Sequence, residues 1–414
     1  MNHIRGVAVA LAVALALGSL PLAAQIGHDE YQRRRQAARK SLAGQVLVLF
    51  GRTAAEMEEH SAQVLQEPNF LYLTGWTKPG ATLLLTPSRE VLFLPGHNPD
   101  KEKYTGPLPA ATDPDIRATT GFEEVLPVEQ FEAQLARTLE SSARIWTLLR
   151  EPYAARLRKL APLRELADAE TVIGPLRARK SAAELASIQR STDVSVDAHM
   201  TAWRRMGPGL FEYQLAATTS YVMLERGCEG NAYDPIVASG PDATVLHYSE
   251  NSRLMQAGEL VLMDVGSECA GYATDITRTV PVSGRFTPRQ RELYDAVLGA
   301  QKAALAAVKP GATLPQINQI ARDYLDSHGR LGQYLNHRVS HGVGLEVHDF
   351  PSATSLEPLE PGMVITVEPG VYIPEEKIGI RIEDTLVVTA DGARVLSAAL
   401  PKEPEEIEKR MAGR

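Results

Sequence analysis

Pro208-Gly209 recurs as Pro310-Gly311, 102 residues later, and the helical stretch behind each pair ends on a glycine, Gly227 and Gly329, again 102 apart. In the first copy Gly258 precedes the strand-like Glu259-Leu-Val-Leu-Met-Asp264; in the second, Gly362 precedes Met363-Val-Ile-Thr-Val-Glu368. One unit has been used twice, so this region of the chain must be built from two related halves. Asp264 and Glu368 hold equivalent places, 104 apart, and Asp275 and Glu383 lie in matching downstream stretches. His247 and His348, 101 apart, come close to matching. Each half is therefore expected to carry an acid on one strand, a second acid on the next strand and a histidine on an earlier one.

Asp264 and Glu368 end otherwise apolar strands, where an unpaired carboxylate costs several kcal/mol of desolvation, so each needs a cationic partner. Arg278 and Arg381, three and two residues from Asp275 and Glu383, could satisfy single acids. Four acids in symmetric positions point instead to metal. Carboxylates with a histidine or two form the oxygen-rich set that suits Mn²⁺, Co²⁺ or Zn²⁺ in a paired site, and the chemistry that follows is metal-assisted hydrolysis. Three histidines, His337, His341 and His348, fall within twelve residues around the glycines Gly342 and Gly344, which allow another backbone or a ligand to approach closely. No Gly-x-Ser-x-Gly elbow, His-Glu-x-x-His helix or Gly-Lys phosphate loop occurs, which disfavours serine-hydrolase and nucleotide chemistry.

Ahead of the repeat, residues 46–50, 81–85 and 91–94 read as strands and 129–141 and 152–160 as helices, an α/β pattern without obvious chemistry. Residues 172–179 read as a linker. Ser181-Ala-Ala-Glu184 then forms a capping box, and a long helix should follow it towards Arg204. At 414 residues with ordinary hydrophobic content the chain accommodates two or three domains. A net charge of -8 and the lack of any basic run argue against nucleic acid as a partner. Two cysteines, Cys228 and Cys269, are too few for a disulfide framework or a Cys-rich zinc site; as a pair or as two buried thiols they fit the sequence equally. Arg5, an apolar run over 6–17 and a small-residue exit at Ala23-Ala24 describe a secretory signal peptide, cut near Ala24, rather than a stable membrane anchor. The expected compartment is the periplasm, or the exterior.

Six motifs in order now resemble a known family: Ile236-Val-Ala-Ser-Gly240 to Leu246-His-Tyr248, Met263-Asp-Val-Gly266, Thr274-Asp-Ile-Thr-Arg-Thr279, His341 to His348, Thr366-Val-Glu-Pro-Gly370 and Gly379-Ile-Arg-Ile-Glu-Asp384. They are similar to the pita-bread-fold metallopeptidases, in the Xaa-Pro aminopeptidase and Xaa-Pro dipeptidase (prolidase) branch. Asn69-Phe-Leu-Tyr-Leu-Thr-Gly75 resembles that branch's creatinase-like N-terminal domain, and Arg177, Lys180-Ser181 and Glu184 resemble its domain junction.

The resemblance implies an α+β fold: a signal peptide over 1–24, a creatinase-like α/β domain over 25–176, a duplicated pita-bread catalytic domain over 177–400 and a tail over 401–414. It implies two divalent metal ions, Mn²⁺ before Co²⁺ or Zn²⁺, on Asp264, Asp275, His341, Glu368 and Glu383. Asp275 and Glu383 would bridge both ions, Asp264 would bind the first, and His341 with Glu368 the second. A hydroxide between the ions would be the nucleophile, with Glu368 carrying its proton to the leaving nitrogen. His348 would hydrogen-bond the oxyanion, His247 would touch the substrate backbone, His337 would line the proline pocket, and Arg381 would orient the carboxylates. The expected substrates are proline-containing peptides and the expected assembly a homo-oligomer, dimer or tetramer. A strict Xaa-Pro dipeptidase is the alternative, and a non-catalytic pita-bread module that binds peptide a remote one. Two small departures from the family pattern, Ser340 before the ligand histidine and Asp349 after His348, remove no ligand but are candidates for tuning the pocket.

Overall fold

The computed structural model describes residues 26–58, 66–140 and 142–412, so the signal-peptide reading lies outside the described residues. The N-terminal domain is built on a mixed six-stranded sheet. Its spatial order is Glu124–Pro127, Glu90–Leu94, Thr82–Leu85, Val46–Phe50, Arg144–Thr147, Glu165–Asp168. Val46–Phe50 and Thr82–Leu85 pair antiparallel with Val48 opposite Leu84, and every residue of both is buried, as expected of unbroken apolar runs covered on two faces. Against the sheet lies Pro68–Thr74, a helix whose seven residues are all buried. Its start is set by Pro68 and by Glu67, which accepts the Phe70 N–H; its end is set by left-handed Gly75, φ 67°.

Residues 172–179 are not a linker. Glu170–Ala178 is a helix with Pro175 inside it, burying Val172, Ile173 and Arg177. Its Gly-Pro pair answers to packing: a Cβ on Gly174 would fall 2.6 Å from the Phe350 ring. Just beyond it, the Ser181–Glu184 capping box forms as read, with Glu184 Oε2 accepting the Ser181 N–H at 2.9 Å, and starts the 24-residue helix Ala182–Arg205.

Both copies of the repeat fold alike. Gly209 and Gly311 share left-handed φ values of 86° and 87°, Gly227 and Gly329 of 75° and 78°, Gly258 and Gly362 of 85° and 91°. The cross-links match too: Gly209 N–H donates to Met255 O (3.0 Å) and Gly311 N–H to Leu359 O (2.9 Å), while Met255 N–H returns to Leu210 O and Leu359 N–H to Ala312 O. Helices Glu212–Glu225 and Leu314–Ser327 lie between these turns. In the first half Leu260–Asp264 runs antiparallel between Thr277–Pro281 and Ile236–Ser239; in the second, Val364–Val367 pairs antiparallel with Asp384–Val388. The halves join where Thr279 Oγ1 donates to Arg381 O (3.0 Å) and accepts the Arg381 N–H (3.1 Å). Glu383 N–H donates to Thr277 O (3.0 Å) and Asp275 N–H to Thr385 Oγ1 (3.1 Å).

One expectation about the halves needs correcting. Asp264 ends a strand as read, but Asp275 and Glu383 sit in matching breaks between strands, and His247 and His348 lie in loops. Strand alternation would hand successive side chains to opposite faces. Leaving the ladder frees these groups from that rule, so all can turn to one cavity.

Arg177 ties the two domains together. Its buried guanidinium donates to Asn69 Oδ1 (2.9 Å) and to Glu346 Oε2 (2.8 Å) and pairs with Asp349 Oδ1 (2.9 Å). Glu184 adds a second tie, accepting from the Tyr272 hydroxyl (3.0 Å) and pairing with Arg34 (3.3 Å). The close approach foreseen at Gly342 and Gly344 is made by the protein itself: a Cβ on Gly342 would meet Phe350 backbone at 2.4 Å, and one on Gly344 would meet Asp349 Oδ2 at 2.2 Å. Cys228 and Cys269 are joined in a disulfide, closing the turn after Glu212–Glu225 onto the strand Ser267–Cys269. The segment 401–414 includes the helix Pro404–Ala412, which buries Ile407 and Met411. Among the described residues no helix is long and apolar enough to cross a membrane.

Candidate metal centre

A cavity of about 630 Å³ opens where the two halves meet, and all nine predicted residues line it: Asp264, Asp275, His341, Glu368 and Glu383, with His247, His337, His348 and Arg381. Donor atoms of Asp275, His341 and Glu383 lie within 4.8 Å of one another. His341 Nε2 stands 3.5 Å from Asp275 Oδ2 and 3.4 Å from Glu368 Oε1, and Asp264 joins the group through Tyr233, whose hydroxyl is 2.6 Å from both Asp264 Oδ1 and Asp275 Oδ1. Tyr233 has one hydrogen for two carboxylates, so the crowding is not relieved by hydrogen bonding.

Electrostatics gives the same account. Burial and the neighbouring carboxylates push Glu383 well above the usual range. Burial likewise raises Asp264 to about 6 against the pull of Arg381, and Glu368 to about 7 against the pull of His341. Burial opposes charge on the His341 imidazole, but Asp275 and Glu368 outweigh it and hold the group up at about 9. These are shifts of a site short of positive charge. Glu383 accepts from Thr277 Oγ1 at 2.7 Å through Oε2, while its buried Oε1 has no hydrogen-bond partner in the protein. With His341 neutral, as a metal ligand must be, four carboxylates and the Arg381 guanidinium sum to -4 + 1 = -3, more than a single divalent cation neutralises. The donor set fits divalent cations.

The arginines do not take the places their sequence positions suggested. Arg381 pairs with Asp264 (2.5 Å) rather than Glu383, two residues along its own chain, and Arg278 pairs with Asp384 (2.7 Å) rather than Asp275. Thr277 Oγ1 accepts from Arg381 Nε (3.0 Å) while donating to Glu383, so one guanidinium steadies acids of both halves. Behind the cavity runs a directed chain. Arg381 Nη1 donates to the Tyr372 hydroxyl (2.9 Å), which lies 2.9 Å from His337 Nε2, and His337 Nδ1 lies 2.8 Å from Arg338 O. Burial and Arg381 hold His337 down at about 4, so its ring is neutral: Nε2 accepts from Tyr372 and Nδ1–H donates to Arg338 O. His348 packs beside His341 with ring centroids 4.3 Å apart, and His247 and His348 are both exposed at the cavity rim.

Of the two departures, Ser340 lines the cavity and donates to Thr366 O (2.7 Å), whereas Asp349 faces Arg177 at the junction, outside it. Tyr233 and Tyr372 escaped the sequence reading. Tyr233 stands 31 and 42 residues from the acids it contacts and belongs to no repeated pattern.

Residues 186–390 match the profile of metallopeptidase family M24, and residues 31–146 that of the aminopeptidase P N-terminal domain. The chain is 33% identical to the Xaa-Pro aminopeptidase of Escherichia coli over 436 aligned positions, covering 94% of this chain and 98% of that protein. The chain belongs to metallopeptidase family M24. This M24 chain is also 34% identical to the Xaa-Pro dipeptidase of Pyrococcus horikoshii, over 81% of its own length and 91% of that protein's. Among solved structures, aminopeptidase PepP of Pseudomonas aeruginosa superposes with a TM-score of 0.87 at 30% identity, covering 94% of this chain and 99% of that one. The fold has the two domains expected of this M24 branch, an aminopeptidase P N-terminal domain followed by a pita-bread domain. Its enzymatic class follows: a metallopeptidase of the Xaa-Pro aminopeptidase and dipeptidase group.

Proposed function

We propose that this chain is an exported aminopeptidase that hydrolyses the N-terminal Xaa-Pro bond of peptides with two divalent cations. The observation that carries this is the convergence of buried Asp264, Asp275 and Glu383, half-buried Glu368 and His341, from both halves, on one cavity that a peptide end can enter. When bound, the cations, Mn²⁺ before Co²⁺ or Zn²⁺, polarise the scissile carbonyl and make water nucleophilic at neutral pH.

The chain's residues do the rest. Asp264, Asp275, His341, Glu368 and Glu383 would hold the cations, with Asp275 and Glu383 shared between the two, Asp264 on one, and His341 with Glu368 on the other. Glu368 passes a proton to the leaving nitrogen, which proline's tertiary amide needs before the bond can break. His348, beside His341 at the rim, donates to the developing oxyanion, and His247 contacts the peptide backbone. His337, held neutral and fixed by Tyr372, lines the proline pocket. Export is supported by the apolar run over 6–17 and by the Cys228–Cys269 disulfide, a bond characteristic of oxidising compartments.

Incubation with Mn²⁺, Ala-Pro and Ala-Pro-Ala-Ala, with products identified by mass, tests the reading. Free alanine is expected from both peptides, lost on chelation and restored by Mn²⁺. Cleavage of the dipeptide alone makes the protein a prolidase, and cleavage of neither overturns the assignment.

A further inference from the structure

Arg338 is exposed at the edge of the catalytic cavity and is one of the residues lining it. It also lines a second cavity of about 260 Å³, which shares Arg338, Ser340 and Ala353 with the first. Its backbone is held on both sides: Arg338 O accepts from His337 Nδ1 at 2.8 Å, and the Val339 N–H donates to Asn318 Oδ1 at 3.2 Å. Its guanidinium, in contrast, makes no ion pair or side-chain hydrogen bond among the described residues. The second cavity has no acidic wall; Leu314 and Pro315 give it apolar surface, and Asn318 and Gln319 give it amides. A fixed backbone thus presents an unpaired cation where two cavities meet, next to the histidine that faces the leaving side of the bond.

A peptide has one obligatory anion, its C-terminal carboxylate. In the Xaa-Pro reading the scissile bond lies at the metal ligands and proline beside His337, so the carboxyl end that follows is left to meet the adjacent guanidinium. We propose that Arg338 binds the free C-terminal carboxylate of short Xaa-Pro peptides on the leaving side of the scissile bond, and so sets a preference for substrates of two or three residues. The carboxylate is that of proline itself in a dipeptide, or of the next residue in a tripeptide. Longer peptides pass into the second cavity and forgo the pair. This rests on the Xaa-Pro reading above.

The test compares kcat/KM for Ala-Pro, Ala-Pro-Ala and their C-terminal amides with the Mn²⁺-loaded enzyme, Arg338→Gln and Arg338→Lys. The free acid of at least one length is expected to be preferred over its amide by about tenfold, the worth of a partly exposed charge-assisted hydrogen bond. The preference should reside in KM, collapse towards unity in Arg338→Gln and return partially in Arg338→Lys. A gap on the dipeptide assigns the carboxylate to proline, and a gap on the tripeptide alone assigns it to the following residue; either supports the proposal. Equal cleavage of acid and amide at both lengths, or a gap that survives Arg338→Gln, overturns it and leaves the Xaa-Pro reading intact. If the wild type cleaves none of the four peptides, that reading itself fails and the inference falls with it.

Discussion

Replacing Glu383 with alanine will lower kcat/KM by at least about a thousandfold, roughly 4 kcal/mol of transition-state stabilisation, when the variant is assayed with saturating Mn²⁺. Glu383 is buried, is pushed towards its neutral form by burial and by Asp275, Glu368 and Asp264, and has one oxygen with no partner in the protein. A carboxylate kept there serves no fold: it adds repulsion to a cluster that already holds three others. Thermal melting provides a second readout. Without metal, Glu383→Gln should melt above the wild type, because the amide is neutral from the start whereas the buried carboxyl must take up a proton on folding or face its acidic neighbours charged. With Mn²⁺ the order should reverse, because the wild type gains more from binding. A variant with full activity, or one whose melting temperature responds to Mn²⁺ as the wild type does, would contradict the role given to Glu383.

The second large effect is on stability. Arg278 and Asp384 are both fully buried and 2.7 Å apart, in the strands that follow Asp275 and carry on from Glu383. Asp384 also accepts from Ser397 (2.7 Å), Gln301 (2.9 Å) and Lys402 (2.7 Å), and Arg278 donates to the carbonyls of Leu400 and Pro401, both at 3.0 Å. The pair therefore clamps the two halves beside the metal ligands and ties the chain's end to them. Asp384→Ala leaves a guanidinium buried without its counter-charge and should cost about 3–5 kcal/mol, or roughly 10 °C in melting temperature. Adding Arg278→Met should restore some of that loss, because the orphaned charge is removed. Burial opposes ionisation of Asp384, but Arg278 and Lys402 outweigh it and hold the carboxyl below its usual 3.8. A group so depressed contributes in full above its unfolded value and loses the contribution only as pH falls below it, so the cost should be the same from pH 5 to 8. A melting shift under about 2 °C would show that the clamp carries little.

The repeat made the site legible. Its glycines marked turns that recur with φ values within a few degrees, and its spacing paired the acids of the two halves before any geometry was known. All nine residues named from sequence line one cavity because the duplicated half places equivalent groups about one junction. Partnerships were harder to read. Proximity in sequence suggested Arg278 with Asp275 and Arg381 with Glu383, but both acids lie in breaks between strands while both arginines are held in strands, so each guanidinium found an acid elsewhere: Asp384 across the junction, and Asp264 117 residues away. Tyr233 left no trace, because a single tyrosine far from the motifs has no pattern to betray it. The helix Glu170–Ala178 looked like a linker because Gly174 and Pro175 are poor helix formers; the Phe350 ring packed against Gly174 is a tertiary reason that composition cannot express.

Under the proposed function, this cavity works only when it holds two cations. Metal content after gel filtration of Mn²⁺-loaded protein, measured by inductively coupled plasma mass spectrometry beside the Ala-Pro-Ala-Ala assay, tests it most directly. Two ions per wild-type chain, fewer in Glu383→Ala, and activity that rises with occupancy are expected; full activity in wild-type protein carrying no metal, or a Glu383→Ala variant that keeps two ions and the wild-type rate, would overturn the two-cation mechanism.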